Sequence, residues 1–147
     1  MTDEQLISAA RAAALKAYAP YSSFAVGCAI ESVDGEVVTG ANMENACYRL
    51  GVCAEISALT AAQARFGLAN IARIAVAGGD GSGIELAGTS TVTPCGGCRQ
   101  SILEAAQLRG RDVEILCASG DGTAYDRHSI VALIPFGFGP DSLKDAG

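Results

Sequence analysis

Two short stretches hold residues whose types and spacing could do chemistry. Residues 51–57 read GVCAEIS and residues 93–98 read TPCGGC. In the second, Cys95 and Cys98 form a C-x-x-C. A helix opening there brings both sulfurs to one point, and its N-terminus stabilises thiolates electrostatically. Alone, this pair fits a redox dithiol, half of a structural zinc site, or part of a catalytic one. Cys53 is a natural third ligand, also at a helix start. A closed structural site wants four ligands, and Cys47 is the serious fourth candidate. Glu55, two residues after Cys53, can be read as a first-turn carboxylate that complements a helix dipole. It can also be a base: three thiolates leave zinc an open position for water, and a carboxylate beside that water can take its proton. Cys53, Cys95 and Cys98 read together favour the base. Cys28 and Cys117 lie in strand-like runs and read as small buried hydrophobes. The single histidine, His128, rules out a site built on two histidines and reads as surface or structural.

The elements that must position these groups follow from periodicity. Asp3–Tyr18 is helical, capped by Thr2 or Asp3 and stopped at Pro20. FAVGCAIES and VDGEVVTG form a hairpin across Asp34-Gly35. ANMENACYRLG has no period and reads as a long, functional loop. Cys53–Arg65 is helical, and IARIAVAGG is an apolar, central strand. DGSGIELAG lacks the Gly-Lys-Ser/Thr ending and the following helix of a phosphate loop. STVTP reads as a short strand, CGGCRQSILEAAQL as a helix, DVEILCAS as a strand, and YDRHSIVALIPFGFG as a short helix followed by a loop. The order α-β-β-α-β-β-α-β predicts one mixed sheet layered with helices, an α/β domain spanning residues 1–147. Both chemical stretches fall where the chain enters a helix.

Composition narrows the function classes. The chain has 147 residues, half of them hydrophobic, and a net charge of −6. No basic stripe is present, which argues against long nucleic acid and anionic membrane surfaces as partners. No run approaches a membrane span. The start, MTDEQL, is acidic and unlike a secretory signal, so a cytoplasmic location is expected. Six cysteines in a reducing compartment point to buried thiols or metal ligands before disulfides. The abundance of small residues points to subunit contact in a homo-oligomer.

CAE followed by PCxxCRQ resembles the zinc-dependent cytidine deaminases. YAPYSSFAVGCAIESVDGEVVTGANMENACY is similar to that family's substrate-binding half, with its N-x-E-N, and LIPFGFGP to its C-terminal segment. The resemblance implies a three-layer α/β/α sandwich, zinc held by Cys53, Cys95 and Cys98, and Glu55 as the proton shuttle between water and ring N3. It implies Asn42 and Glu44 at the ribose hydroxyls, Phe24 and Phe138 at the base, and the Ala54 backbone at the base carbonyl. Phe138 would come from a neighbouring subunit, and Tyr48 would reach a neighbouring site, in a homotetramer with shared sites. For Phe136 the core reading is kept. The implied reaction is hydrolytic deamination of cytidine and deoxycytidine to uridine and deoxyuridine, a step of pyrimidine salvage. A modified cytidine or a blasticidin-like nucleoside is the alternative substrate. A four-cysteine structural module and a Cys95–Cys98 dithiol are the competing non-deaminase readings.

The sequence leaves the common pattern at Ile56, where many relatives carry arginine. Zinc with three thiolates is formally −1, and ionised Glu55 makes the site −2. Ile56 cannot donate to the sulfurs. The expectation is that Arg99 or Arg49 supplies the missing donor, beside the helix N-terminal dipoles.

Overall fold

The computed structural model describes residues 1–144; the last three residues of the expected single domain, 145–147, lie outside the described residues. The chain runs α1 (Asp3–Ala14), β1 (Phe24–Ser32), β2 (Val37–Ala41), α2 (Ala54–Arg65), β3 (Ile71–Asp80), α3 (Gly96–Arg109), β4 (Glu114–Ser119), β5 (Tyr125–Ser129), α4 (Ile130–Leu133) and α5 (Pro140–Lys144). The strands form one mixed sheet in the order β2-β1-β3-β4-β5, so the apolar β3 is central as expected. Only β3 and β4 are parallel; the other neighbours are antiparallel.

Alternation along the strands builds the two helical layers. Ala29, Ala75, Ala77, Leu116 and Ala118 pack with Leu6, Ile7 and Ala10 of α1. Their neighbours Cys28, Ile30, Ile74, Val76, Ile115 and Cys117 face the opposite side, under α2 and α3. The expected three-layer α/β/α sandwich is therefore present. Cys28 and Cys117 are fully buried core residues, as their strand context predicts.

Two close approaches set the layer spacing. A Cβ on Gly27 would lie 1.9 Å from the Ala10 carbonyl oxygen, and one on Gly40 would lie 2.5 Å from the Ala58 nitrogen. The backbones of α1 and α2 thus rest almost directly on the sheet. For α2 this matters chemically, because its first turn carries Ala54 and Glu55.

Several sequence expectations change. Helix α1 is capped by Thr2, whose hydroxyl oxygen accepts from the Gln5 N–H, but it ends at Ala14 and does not reach Tyr18. Tyr18 instead pairs with Met43, donating its N–H to the Asn42 carbonyl and accepting from the Glu44 N–H. Residues 41–51 are accordingly not featureless: Met43 also bridges Val52, and Tyr48–Leu50 form a 3-10 turn. STVTP is not a strand. It makes a single bridge, Thr91 to Ser119, because both edges of β4 are already taken by β3 and β5. The fifth strand is YDRHS, whose polar residues suit a solvated edge. The short helix after it, α4, follows the expectation. Phe136 is not in the core: it is fully exposed, at φ 56°.

A charged row crosses the sheet at the N-terminal end of α1. Register places Glu31 beside Arg73 and Arg73 beside Glu114. Arg73 donates to Glu31 at 2.5 Å and to Asp3 at 2.6 Å, and Arg127 donates to Glu114 at 3.0 Å and also to Asp3. Burial pushes the Asp3 and Glu31 carboxyls up, but the arginine hydrogen bonds outweigh it and hold both below the usual carboxylate range. Groups with lowered folded-state pKa contribute stability that is fully present above the unfolded value and lost as pH falls through the folded one. Arg73→Met is expected to cost about 1–2 kcal/mol at neutral pH, with the difference from wild type shrinking below about pH 4. Urea unfolding at pH 7 and pH 3 measures both. Gly27→Val is expected to cost about 1–3 kcal/mol through overpacking against α1, read in the same assay.

Candidate active site

Cys53 and Cys95 are the N-cap residues of α2 and α3, each with extended backbone. Cys98 follows on the first turn of α3, buried where the other two are exposed. The three Sγ atoms lie within 4.8 Å of one another. Tetrahedral zinc with Zn–S near 2.3 Å needs sulfurs about 3.8 Å apart, so the cluster has the right size. Cys47, the fourth candidate, is exposed and stands outside this cluster.

The electrostatics fit a cation at this point. Burial, with the neighbouring Cys95 and Glu55, pushes the Cys53 thiol up; burial and Glu55 do the same to Cys98. Cys95 runs the other way. The first-turn N–H groups of Cys98 and Gly97 face its sulfur and hold its thiol below the ordinary range, although neither closes a full hydrogen bond. Three thiols crowded beside a carboxylate resist joint ionisation unless a positive ion sits among them. The residues present therefore fit zinc.

Glu55 sits in the first turn of α2, only 5% exposed. Burial raises its carboxyl above the usual range. A buried carboxylate with a raised pKa beside a thiol cluster is suited to holding and returning a proton.

A cavity of about 420 Å³ opens beside the sulfurs, and Phe24, Asn42, Glu44, Ala54, Glu55, Cys53 and Cys95 all line it. Asn42 is held by β1: its Oδ1 accepts from the Val26 N–H at 2.8 Å and its amide donates to the Phe24 carbonyl at 2.9 Å. Glu44 accepts from the Tyr21 N–H at 2.9 Å and the Ser22 hydroxyl at 2.6 Å. These contacts hold the Glu44 carboxyl below its usual range, the Ser22 hydroxyl first among them. Ala54 opens α2, where helical N–H groups lack intrahelical acceptors. Tyr48 also reaches the cavity, though 80% exposed. Phe138 does not line the cavity of its own chain and is 63% exposed. Val92 and Thr93 do line it; sequence reasoning passed over them, although they directly precede the Pro94-Cys95 turn. A second groove, about 470 Å³ between α2 and α3, contains no thiol and not Glu55, so the chemistry belongs to the first.

The expectation about arginine changes. Arg99 spends its guanidinium on the Pro94 and Leu133 carbonyls and the Thr93 hydroxyl, at 2.7, 3.0 and 3.3 Å. Arg49 lies on the exposed 3-10 turn. Ile56 packs against the buried cluster under α2 and α3 and lines the second groove. For Arg99 the expectation thus fails; among the described residues the first-turn N–H groups of α3 face the Cys95 sulfur, and Cys53 is the N-cap of α2.

Fold and site together define an α/β domain with a three-thiol centre of the size and chemistry that fit zinc. Residues 1–110 match the family model for the cytidine and deoxycytidylate deaminase zinc-binding region. A cytidine deaminase of Halalkalibacterium halodurans is 36% identical over 146 residues, 99% of this chain and 100% of that one. A cytidine deaminase of Mycobacterium tuberculosis is 46% identical over 92 residues, and the match spans 62% of that relative's length. The crystal structure of cytidine deaminase from Burkholderia pseudomallei superposes with a TM-score of 0.78 at 40% identity, covering 94% of this chain and 100% of that one. The chain belongs to the cytidine and deoxycytidylate deaminase family.

Metal analysis of purified variants tests the ligand set. Wild type and Cys47→Ser are each expected to hold about one zinc per chain, and Cys98→Ser to lose it on dialysis.

Proposed function

We propose that residues 1–147 act as one domain that hydrolyses cytidine and deoxycytidine to uridine and deoxyuridine with release of ammonia. The observation that carries this reading is the buried Glu55 beside three clustered sulfurs, at the wall of a cavity that also presents Asn42 and Glu44. Held by Cys53, Cys95 and Cys98, zinc would supply the Lewis acidity that lowers the pKa of water to near neutrality. Glu55 accepts a proton from the attacking water and donates it to ring N3, which must be protonated as oxygen adds at C4. It then takes the second proton from the hydroxyl now on C4 and passes it to the departing amine, so that the C4–N bond breaks and water and cytidine balance to uridine and ammonia. The Ala54 N–H meets the base carbonyl, and Phe24 covers the ring. Asn42 and Glu44, fixed by the chain around them, face the ribose hydroxyls.

Oligomerisation completes the reading. Phe138 projects from its own protomer and, in a homotetramer, serves a neighbour's base pocket; Tyr48 likewise lies at a shared site. Among the described residues no helix is long and apolar enough to cross a membrane. We place the enzyme in the cytoplasm, in pyrimidine salvage.

Glu55→Gln is expected to keep zinc and lower kcat for cytidine by about 10²–10⁴-fold, followed as loss of ultraviolet absorbance. Free cytosine, which offers no ribose to Asn42 and Glu44, is expected to react poorly. A zinc-loaded enzyme that turned over only a non-nucleoside amine would sink this reading. A Glu55→Gln with wild-type kcat would remove Glu55 from the proton path, and a zinc-loaded wild type that deaminates no nucleoside would favour a structural zinc role.

A further inference from the structure

The helix that carries two of the three ligands also grips the chain's exposed aromatic segment. Arg99 and Gln100 follow the ligand Cys98 directly on α3. Arg99 turns back toward the helix start and donates to the Pro94 carbonyl and the Thr93 hydroxyl, at 2.7 and 3.3 Å. That fixes the turn presenting Cys95 and the cavity wall at Thr93. Its remaining arm donates to the carbonyl of Leu133, the last residue of α4, at 3.0 Å. Gln100 donates to the Phe138 carbonyl at 2.5 Å. About two turns later Gln107 accepts from the Asp141 N–H at 2.8 Å.

The loop between these grips needs holding. Phe136 sits at φ 56°, a conformation bulky side chains rarely adopt, with its ring fully in solvent. Phe138 is also largely exposed. Neither ring has core contacts to fix the backbone, so the α3 side chains do that work from both ends.

We propose that Arg99 and Gln100 are positioning residues that bind the metal-site turn and the aromatic segment 134–139 to α3, so that the two are placed as one unit. The kinetic part rests on the reading in which Phe138 serves a neighbouring base pocket; the structural part does not. A ligand-bearing helix then sets both its own protomer's sulfurs and the aromatic surface offered to a neighbour.

Zinc-loaded Gln100→Glu and Arg99→Lys, compared with wild type, test this. Gln100→Glu keeps the side chain's size but cannot donate to a carbonyl. Loss of one such bond is expected to speed amide exchange across residues 136–139 about fivefold. KM for cytidine should rise with it, while kcat stays within about twofold and zinc content is unchanged. Gln100→Ala should reproduce the faster exchange. Arg99→Lys keeps the charge but loses the planar fork, and zinc affinity in a competitive chelator titration is expected to fall about tenfold or more. Wild-type exchange at residues 136–139 in both Gln100 variants, or wild-type zinc affinity in Arg99→Lys, would overturn the proposal. Should wild type fail to deaminate cytidine, the functional reading falls, and exchange and zinc affinity alone decide the clamp.

Discussion

Sulfur atoms brought within 4.8 Å of one another repel once ionised, and the fold is arranged around making that tolerable. Two helices begin at the same place, each with a cysteine as its N-cap. Both begin at a thiol with their positive dipole ends, and the first turn of α3 also aims N–H groups at the Cys95 sulfur. This convergence needs α2 seated tightly on the sheet, which Gly40 permits, and α3 alongside it over the parallel pair β3 and β4. The buried Glu55 adds another negative group to the same point. A divalent cation held there would relieve that repulsion as well as supply chemistry. Ile56, next to Glu55, packs instead against the buried cluster under α2 and α3.

The cavity's polar wall shows a second principle. Asn42 and Glu44 are already hydrogen-bonded to the chain around them. Their rotamers are fixed before any ligand arrives, so less side-chain entropy is lost on binding. The Tyr18–Met43–Val52 bridges hold the intervening segment in register. What reads as a loop in sequence is a stiff rim in the structure.

The clustering of Cys53, Cys95 and Cys98 near Glu55 was legible because a helix N-terminus is a local signal: spacing alone puts Cys95 and Cys98 together. The hairpin was legible from Asp34-Gly35 between β-branched runs, and the two faces of the sheet from alternation. What was not legible depends on distant partners. Tyr125–Ser129 carries no apolar alternation, yet it completes the sheet because β4 offers a free edge. Residues 90–94 have strand-like composition but find that edge occupied. Phe136 has a core residue's side chain, and only the backbone's turn at that point keeps it outside. Arg99 looked like a donor to sulfur, but its targets lie in Thr93, Pro94 and α4, and their proximity is a tertiary fact.

The two faces of the sheet also differ in how they can change over generations. Under α1 the strands present Ala29, Ala75, Ala77 and Ala118, and the helix answers with Ala10. Under α2 and α3 they present Ile30, Ile74, Val76 and Ile115. On the isoleucine side, volume can be traded between neighbours, so sequence drift there can proceed by compensated exchanges. On the α1 side only Leu6, Ile7 and Leu116 hold volume that can be traded; the alanines around them can shrink only to glycine, and Gly27 cannot grow without meeting the Ala10 carbonyl. Compensated exchange there is confined to a few positions, and the wider freedom to vary falls to the layer that bears the thiol cluster.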